Sequence, residues 1–253
     1  SNNEHAKIRN VGFTIETKPD YCKQKHIDAM LDYGITRIEI GVQSLQERVY
    51  KIVNRGHNYN DVIESFQISK DAGYKIVAHM MPGLPTMTPE GDISDFKKLF
   101  EDPQLRPDML KIYPSLVIEN TPLYEEYKRG EYTPYSDEDM IKVLTEVKKN
   151  VRKRVRIMRV QREISPNEII AGPKSGNLRQ IVQQNLSKLG LSCKCIRCRE
   201  AGLTNKKTND QDIKLNRINY DSSGGKEVFL SYEDTNESIY GFLRLRKPSI
   251  LAH

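Results

Sequence analysis

No stretch of this sequence approaches the roughly 20 consecutive apolar residues that a membrane-crossing helix requires, and no apolar leader with a small-residue cleavage site opens it. Cysteine is scarce, at four residues in 253, which argues against the dispersed pairs of a disulfide-stapled secreted domain. An initiator methionine is missing too: the chain starts Ser1-Asn-Asn, as expected of a tag remnant or of a segment taken from inside a longer gene. These absences predict a soluble cytoplasmic protein with no membrane partner. What is present suits a globular fold with a large polar surface: 37% hydrophobic and 29% charged residues, and a mean hydropathy of −0.64. The length allows one large α/β domain with a smaller appendage. Forty Lys and Arg against 34 Asp and Glu give a net charge of +6, which fits either a polyanionic partner or a lysine-rich surface.

Three of the four cysteines crowd into Cys193-Lys-Cys195-Ile-Arg-Cys198. Three thiols inside six residues favour a metal, and Zn²⁺ at about 2.3 Å with a fourth ligand closing a tetrahedron is the expected occupant. Cys22 is the first candidate for the fourth ligand and His26 the second. An iron–sulfur cluster is the rival occupant.

From the start to about Glu163, short β-rich runs alternate with amphipathic helical ones. Strands are predicted at Val11 to Glu16, Arg37 to Gly41, Tyr74 to Met81, Met109 to Tyr113 and Arg154 to Val160, with helices between them. Such alternation means a parallel sheet, and the polar segments at its C-terminal strand ends mark where chemistry belongs. Periodicity alone leaves a β/α barrel and an open doubly wound sheet both standing. After Ile164 the composition turns to loop signals, a helix from about Asn177 to Leu189 and then the cysteine cluster. A polar run from Asn205 to Asn216 leads into Glu227 to Tyr232 and Ser238 to Arg246, which read as a β-hairpin.

Seven segments in order resemble the Elongator catalytic subunit family, in a form closest to archaeal members: Thr14-Ile-Glu-Thr-Lys-Pro-Asp-Tyr-Cys22, Glu39-Ile-Gly-Val-Gln-Ser44, Asn54-Arg-Gly-His57, Ser69-Lys-Asp-Ala-Gly-Tyr-Lys75, His79-Met-Met-Pro82, Leu110-Lys-Ile-Tyr-Pro114 and Arg159-Val-Gln-Arg162. Gly241-Phe-Leu-Arg-Leu-Arg246 is similar to the first strands of that family's acetyltransferase domain. The resemblance implies an α/β fold: a partial (β/α)6 radical S-adenosylmethionine (SAM) barrel over 1–163, a zinc-bearing linker over 164–215, and the start of a GNAT-type acetyltransferase domain over 216–253. It implies an enzyme that uses SAM, a 4Fe–4S cluster and acetyl-CoA to carboxymethylate C5 of the tRNA wobble uridine, with tRNA and other Elongator-like subunits or a second copy as partners. A SAM-derived radical suits an unactivated C5, with the cofactors carrying the difficult chemistry. The family's three-cysteine cluster motif and its acetyl-CoA motif are absent, so the expectation is an incomplete and inactive fragment. A non-catalytic tRNA-binding scaffold and a porphyrinogen-oxidising radical SAM enzyme are the alternatives.

By the same resemblance Glu16, Gln43 and Arg55 bind SAM, Ser44 capping the next helix. His79, Lys111 and Tyr113 are the candidates for the active site or, equally, for barrel packing. Lys148, Lys149, Arg152, Lys153, Arg154, Arg156, Arg159 and Arg162 form the densest basic run, read either as a solvated face or as phosphate contacts for tRNA. Lys174, Lys188, Lys194, Arg197 and Arg199 extend it, and Tyr113 or Tyr135 could stack on an unpaired base.

Overall fold

The computed structural model describes residues 3, 5–204 and 209–252, so the first four residues of the polar run, 205–208, lie outside the described part. Five parallel strands form the main sheet: β1 (Thr14–Thr17), β2 (Arg37–Gln43), β3 (Lys75–Met80), β4 (Met109–Ile112) and β6 (Arg156–Arg159), in the order β1-β2-β3-β4-β6. The order follows the chain without reversal. A doubly wound sheet reverses direction at its switch point, whereas crossovers of one hand that always step the same way build the wall of a barrel. The expected β/α barrel arc is therefore the fold.

Sequence signals set the helices between the strands. Helix α3 (Tyr59–Asp71) starts where Asn58 Oδ1 accepts the Asp61 N–H at 3.1 Å, and α4 (Pro89–Glu101) starts where Thr88 Oγ1 accepts the Gly91 N–H at 3.1 Å with Pro89 pre-set behind it. Helix α6 (Asp137–Asn150) carries a Ser136 cap that accepts the Asp139 N–H at 3.1 Å. Gly73, at φ +85°, ends α3 in the left-handed region that glycine adopts without strain. The outer face of the sheet buries Ile38, Ile40, Ile76, Ala78, Leu110, Ile112 and Ile157 against these helices.

The segment after the barrel adds β5 (Val117–Ile118) paired with β7 (Ile169–Ala171), and α7 (Leu178–Lys188) packed along α6. The expected hairpin is one strand larger than its sequence suggested. Strand β8 (Lys214–Ser222), out of the polar run, pairs with β9 (Gly225–Glu233), which pairs with β10 (Ile239–Lys247). A two-stranded hairpin is marginal in water, and the third strand together with docking on the barrel stabilises it. That docking face is ionic: Lys70 Nζ lies 2.8 Å from Glu227 Oε1, Arg246 Nη2 lies 2.6 Å from Asp71, and Arg244 pairs with Asp108.

Candidate active site and thiol centre

Parallel register places one row of polar side chains across the inner face of the sheet. Glu16 pairs beside Glu39, His79 beside Lys111, and Lys111 beside Arg159, so residues from five strands point into one space. His79 Nε2 lies 2.7 Å from Glu39 Oε2, its Nδ1 lies 3.2 Å from Glu16 Oε1, and Lys111 donates to the same Glu39 oxygen. The edge of the His79 ring meets Tyr113 at 5.4 Å between centroids, and the Arg162 guanidinium lies over that tyrosine at 4.8 Å. The structure thus brings together Glu16, His79, Lys111, Tyr113 and Arg162.

Glu39 is the centre of this row and was missed as a functional residue. The signal was available: a carboxylate in the middle of Arg37-Ile-Glu-Ile-Gly, on a strand otherwise buried on both faces, needs partners. Burial pushes its carboxyl up, but the bonds from His79 and Lys111 outweigh burial and hold it down at about 2. Glu16, Glu39 and His79 could in principle ligate a cation. The Lys111 ammonium on Glu39 already supplies that positive charge.

A second group lies at the end of β2. Arg55 Nη2 donates to the Gly41 carbonyl at 3.1 Å, and a Cβ at Gly41 would come within 3.0 Å of that nitrogen and 3.1 Å of Gln43 Nε2. Gln43 adopts φ +69°, a strained conformation for a side chain of this kind and a frequent mark of ligand sites. Gln43 Oε1, Arg55 Nε and Asp20 Oδ1 are buried without a hydrogen-bond partner, and so are both ring nitrogens of His57. Burial, helped by the nearby Arg55 charge, pulls His57 down to about 4, so its ring is neutral. Unsatisfied polar atoms gathered beside a glycine that leaves backbone room are what a polar ligand would complete.

Helix α4 fixes the loops that carry this group. Asp95 Oδ2 accepts from Ser44 Oγ and the Leu45 N–H, each at 2.8 Å, while Asp92 Oδ2 accepts from the Gly83 N–H at 2.8 Å and Tyr135 Oη at 2.7 Å. Ser44 is therefore a loop anchor rather than a cap, since α2 (Glu47–Ile52) begins after Gln46. Tyr135, 8% exposed, is committed to Asp92 and has no face open for base stacking.

The thiol trio is formed as expected: the sulfurs of Cys193, Cys195 and Cys198 lie within 4.8 Å of one another. The Ile196 N–H bonds the Val155 carbonyl at 2.9 Å, tying the loop to the start of β6, and the Cys198 N–H bonds the Cys195 carbonyl at 3.1 Å, closing the turn between the two thiols. Zinc bonds of about 2.3 Å set a tetrahedral edge of about 3.8 Å, so sulfurs this close fit one ion. Cys22 does not join them. It is buried in the barrel with Sγ 3.3 Å from Ser69 Oγ, and burial raises its thiol to about 11. His26 is also elsewhere, its Nδ1 accepting the Lys23 N–H at 3.2 Å. Among the described residues no fourth Cys, His, Asp or Glu completes the trio.

The basic run is dispersed by the fold. Lys148 and Arg154 are buried, 1% and 7% exposed, which removes them from any phosphate-facing surface. Arg154 stacks over Tyr220 at 4.3 Å. Lys149 pairs with Glu146, Arg152 with Glu101, Lys153 with Glu237 and Arg156 with Glu200. Of the extension, Lys194 pairs with Glu237 and Arg199 is buried on Glu233. Arg159 remains exposed, on the row of the active face.

Comparison with known proteins agrees with this geometry. The radical SAM superfamily profile matches residues 3–99, and the radical SAM C-terminal domain profile matches 107–188. The tRNA uridine(34) acetyltransferase of Methanocaldococcus jannaschii is 47% identical over 251 residues, 97% of this chain and 46% of the relative. Elongator complex protein 3 of Saccharomyces cerevisiae is 48% identical over 242 residues, 94% of this chain and 43% of the relative. The solved archaeal Elp3 of Methanocaldococcus infernus, with an N-terminal deletion, superposes with a TM-score of 0.93 at 46% identity, over 98% of this chain and 59% of that one. The chain spans about half the length of the curated relatives it matches. No described helix is long and apolar enough to cross a membrane. The chain belongs to the Elongator catalytic subunit family of the radical SAM superfamily.

Proposed function

We propose that this chain is the central part of a tRNA-modifying enzyme that builds a carboxymethyl group on C5 of the wobble uridine from acetyl-CoA. The observation that carries the reading is the meeting of two groups at one sheet edge: unsatisfied Gln43 and Arg55 beside Gly41, and the Glu16–His79–Glu39–Lys111 row. In this reading bound SAM would supply radical chemistry, which suits a C5 that bears no leaving group and an acetyl group that must be activated before it can add there. Arg55 would hold the SAM carboxylate, Gln43 its polar edge and Glu16 the ribose hydroxyls. Glu39 would hold His79 and Lys111 in place within the row, and Arg159 and Arg162 would supply positive charge for the RNA backbone.

The fit differs between cofactors. The residues at Gly41 suit SAM. The described barrel offers Cys22 alone, buried on Ser69, and one thiol cannot hold a 4Fe–4S cluster with an open iron. The thiol trio suits a single Zn²⁺ at the junction of the barrel and the second sheet, where site assembly contributes folding energy. The homologues named as Elongator subunits favour other Elongator subunits as partners of the longer protein.

The test uses the longer protein with its N-terminal and acetyltransferase parts, reconstituted without oxygen and given SAM, acetyl-CoA and tRNA. Nucleoside mass spectrometry should show carboxymethyluridine at position 34, and Arg55→Ala and Gln43→Ala should abolish both product and SAM cleavage. Product formation unaffected by either variant would overturn the site assignment. Tight tRNA binding with no product under any reconstitution would favour the scaffold reading instead.

A further inference from the structure

Arg55 donates into the Gly41 pocket from a segment with little regular structure. It lies three residues past the end of α2, between Asn54 at φ +49° and Gly56 at φ +74°, so the chain turns sharply on both sides of it. No helix or strand contains it. Its N–H bonds the Tyr50 carbonyl at 2.9 Å, which secures only the near side of the corner.

The far side is held from another strand. Lys18 follows β1, and Pro19 restricts its backbone to the extended region, where it stands at φ −93° and ψ 158°. From that fixed root its Nζ donates to the Arg55 carbonyl at 3.3 Å and to Asp20 Oδ2 at 3.1 Å. A Cβ on Gly56 would lie 3.9 Å from the same Nζ, which puts the ammonium against the Arg55–Gly56 peptide. The Thr17 carbonyl, one residue before Lys18, is 3.5 Å from where a Cβ on Gly41 would stand, so the segment that carries the lysine also walls the pocket.

With the lysine side chain 41% exposed, its pair with Asp20 adds little to stability. Its consequence is geometric. A guanidinium recognises a carboxylate through a planar fork, and a shift of its backbone root by about 1 Å misaligns both hydrogen bonds. We infer that Lys18 is a positioning residue for the amino-acid end of SAM, acting through the Arg55 carbonyl rather than by touching the cofactor. The inference rests on the reading of the Gly41 pocket as the SAM site, with Arg55 on the carboxylate.

The experiment measures binding rather than turnover. The longer protein is titrated calorimetrically with S-adenosylhomocysteine, which keeps the carboxylate and is not cleaved, and with methylthioadenosine, which lacks the amino-acid end. Lys18→Met should bind S-adenosylhomocysteine about tenfold more weakly, the scale of one hydrogen bond to a charged group, and methylthioadenosine as tightly as wild type does. In an Arg55→Ala background Lys18→Met should cost nothing further, because the two residues act in series. Wild-type affinity in Lys18→Met would overturn the inference. So would equal weakening toward both ligands, the mark of a merely structural role, or a further loss in the Arg55→Ala background, the mark of a lysine acting on the carboxylate by itself. Arg55→Ala that binds S-adenosylhomocysteine as tightly as wild type would instead defeat the reading of the pocket, and this inference with it.

Discussion

Replacing Lys70 by Met tests how the second sheet is held to the barrel. Six buried or half-buried ions meet there, Lys70, Arg244 and Arg246 against Asp71, Asp108 and Glu227, so the interface is balanced at three charges of each sign. Lys70→Met leaves one carboxylate uncompensated, with Glu227 and Asp108 only 2% and 4% exposed, and breaking such a pair costs about 3–5 kcal/mol. With a urea slope of about 3 kcal/mol/M, the midpoint should fall by about 1–1.7 M. Lys70→Met with Glu227→Gln restores a balance of two against two and should recover at least half of the loss. Hydrogen exchange should locate the damage in β8 to β10, where amides open without global unfolding. A single-variant loss below about 1 kcal/mol, or a double variant no better than the single, would refute the idea that charge balance rather than apolar contact holds this interface.

Two further outcomes follow from titratable groups. Burial raises the Asp92 carboxyl from 3.8 to about 7, so its native-state stability is fully present below about pH 4 and is lost as pH rises through 7. Asp92→Asn keeps an oxygen for both Gly83 and Tyr135. It should stabilise the chain by about 2–4 kcal/mol at pH 8 and by nothing near pH 4, and equal gains at both values in urea titrations would contradict the buried-charge argument. Glu39, ionised at neutral pH, can only accept, so His79 Nε2 carries a proton toward it, whether or not Nδ1 also donates to Glu16 at 3.2 Å. Long-range proton–nitrogen correlation spectra should show Nε2 protonated in wild type and only partly protonated in Glu39→Leu, and an Nε2 without a proton in wild type would remove Glu39 as the positioning residue.

The sheet was legible because Ile38, Ile40, Ile76, Ala78, Leu110 and Ile112 recur at strand spacing between well-capped helices. The thiol trio was legible because its members are sequence neighbours. Strand β8 was hidden because Lys-Leu-Asn-Arg-Ile-Asn-Tyr-Asp-Ser reads as a polar loop, and it is a strand only because β9 pairs with it and Ser222 meets Lys70. The basic run was misread in part for a similar reason. Adjacent charges along a turn and strand face different neighbours, so Arg152, Arg154 and Arg156 end on Glu101, Tyr220 and Glu200 rather than on one surface. Cys22 as a zinc ligand failed because sequence supplies no distances. Glu39 was readable from the strand pattern alone.

Asp92 and Asp95 stand one turn apart on α4, and each holds a different loop at the active edge, the Ser44-Leu45-Gln46 segment and the Gly83 turn. The two loops are thereby geared to one shaft. Any rotation of the first turns of α4 moves both in step, and no independent flap is available to either. The helix tolerates change at its far end, around Lys98 and Glu101, but a one-residue insertion between Asp92 and Asp95 would turn one carboxylate away by about 100° and unmesh the gear. Tuning of this edge by mutation is therefore expected to act on both loops at once.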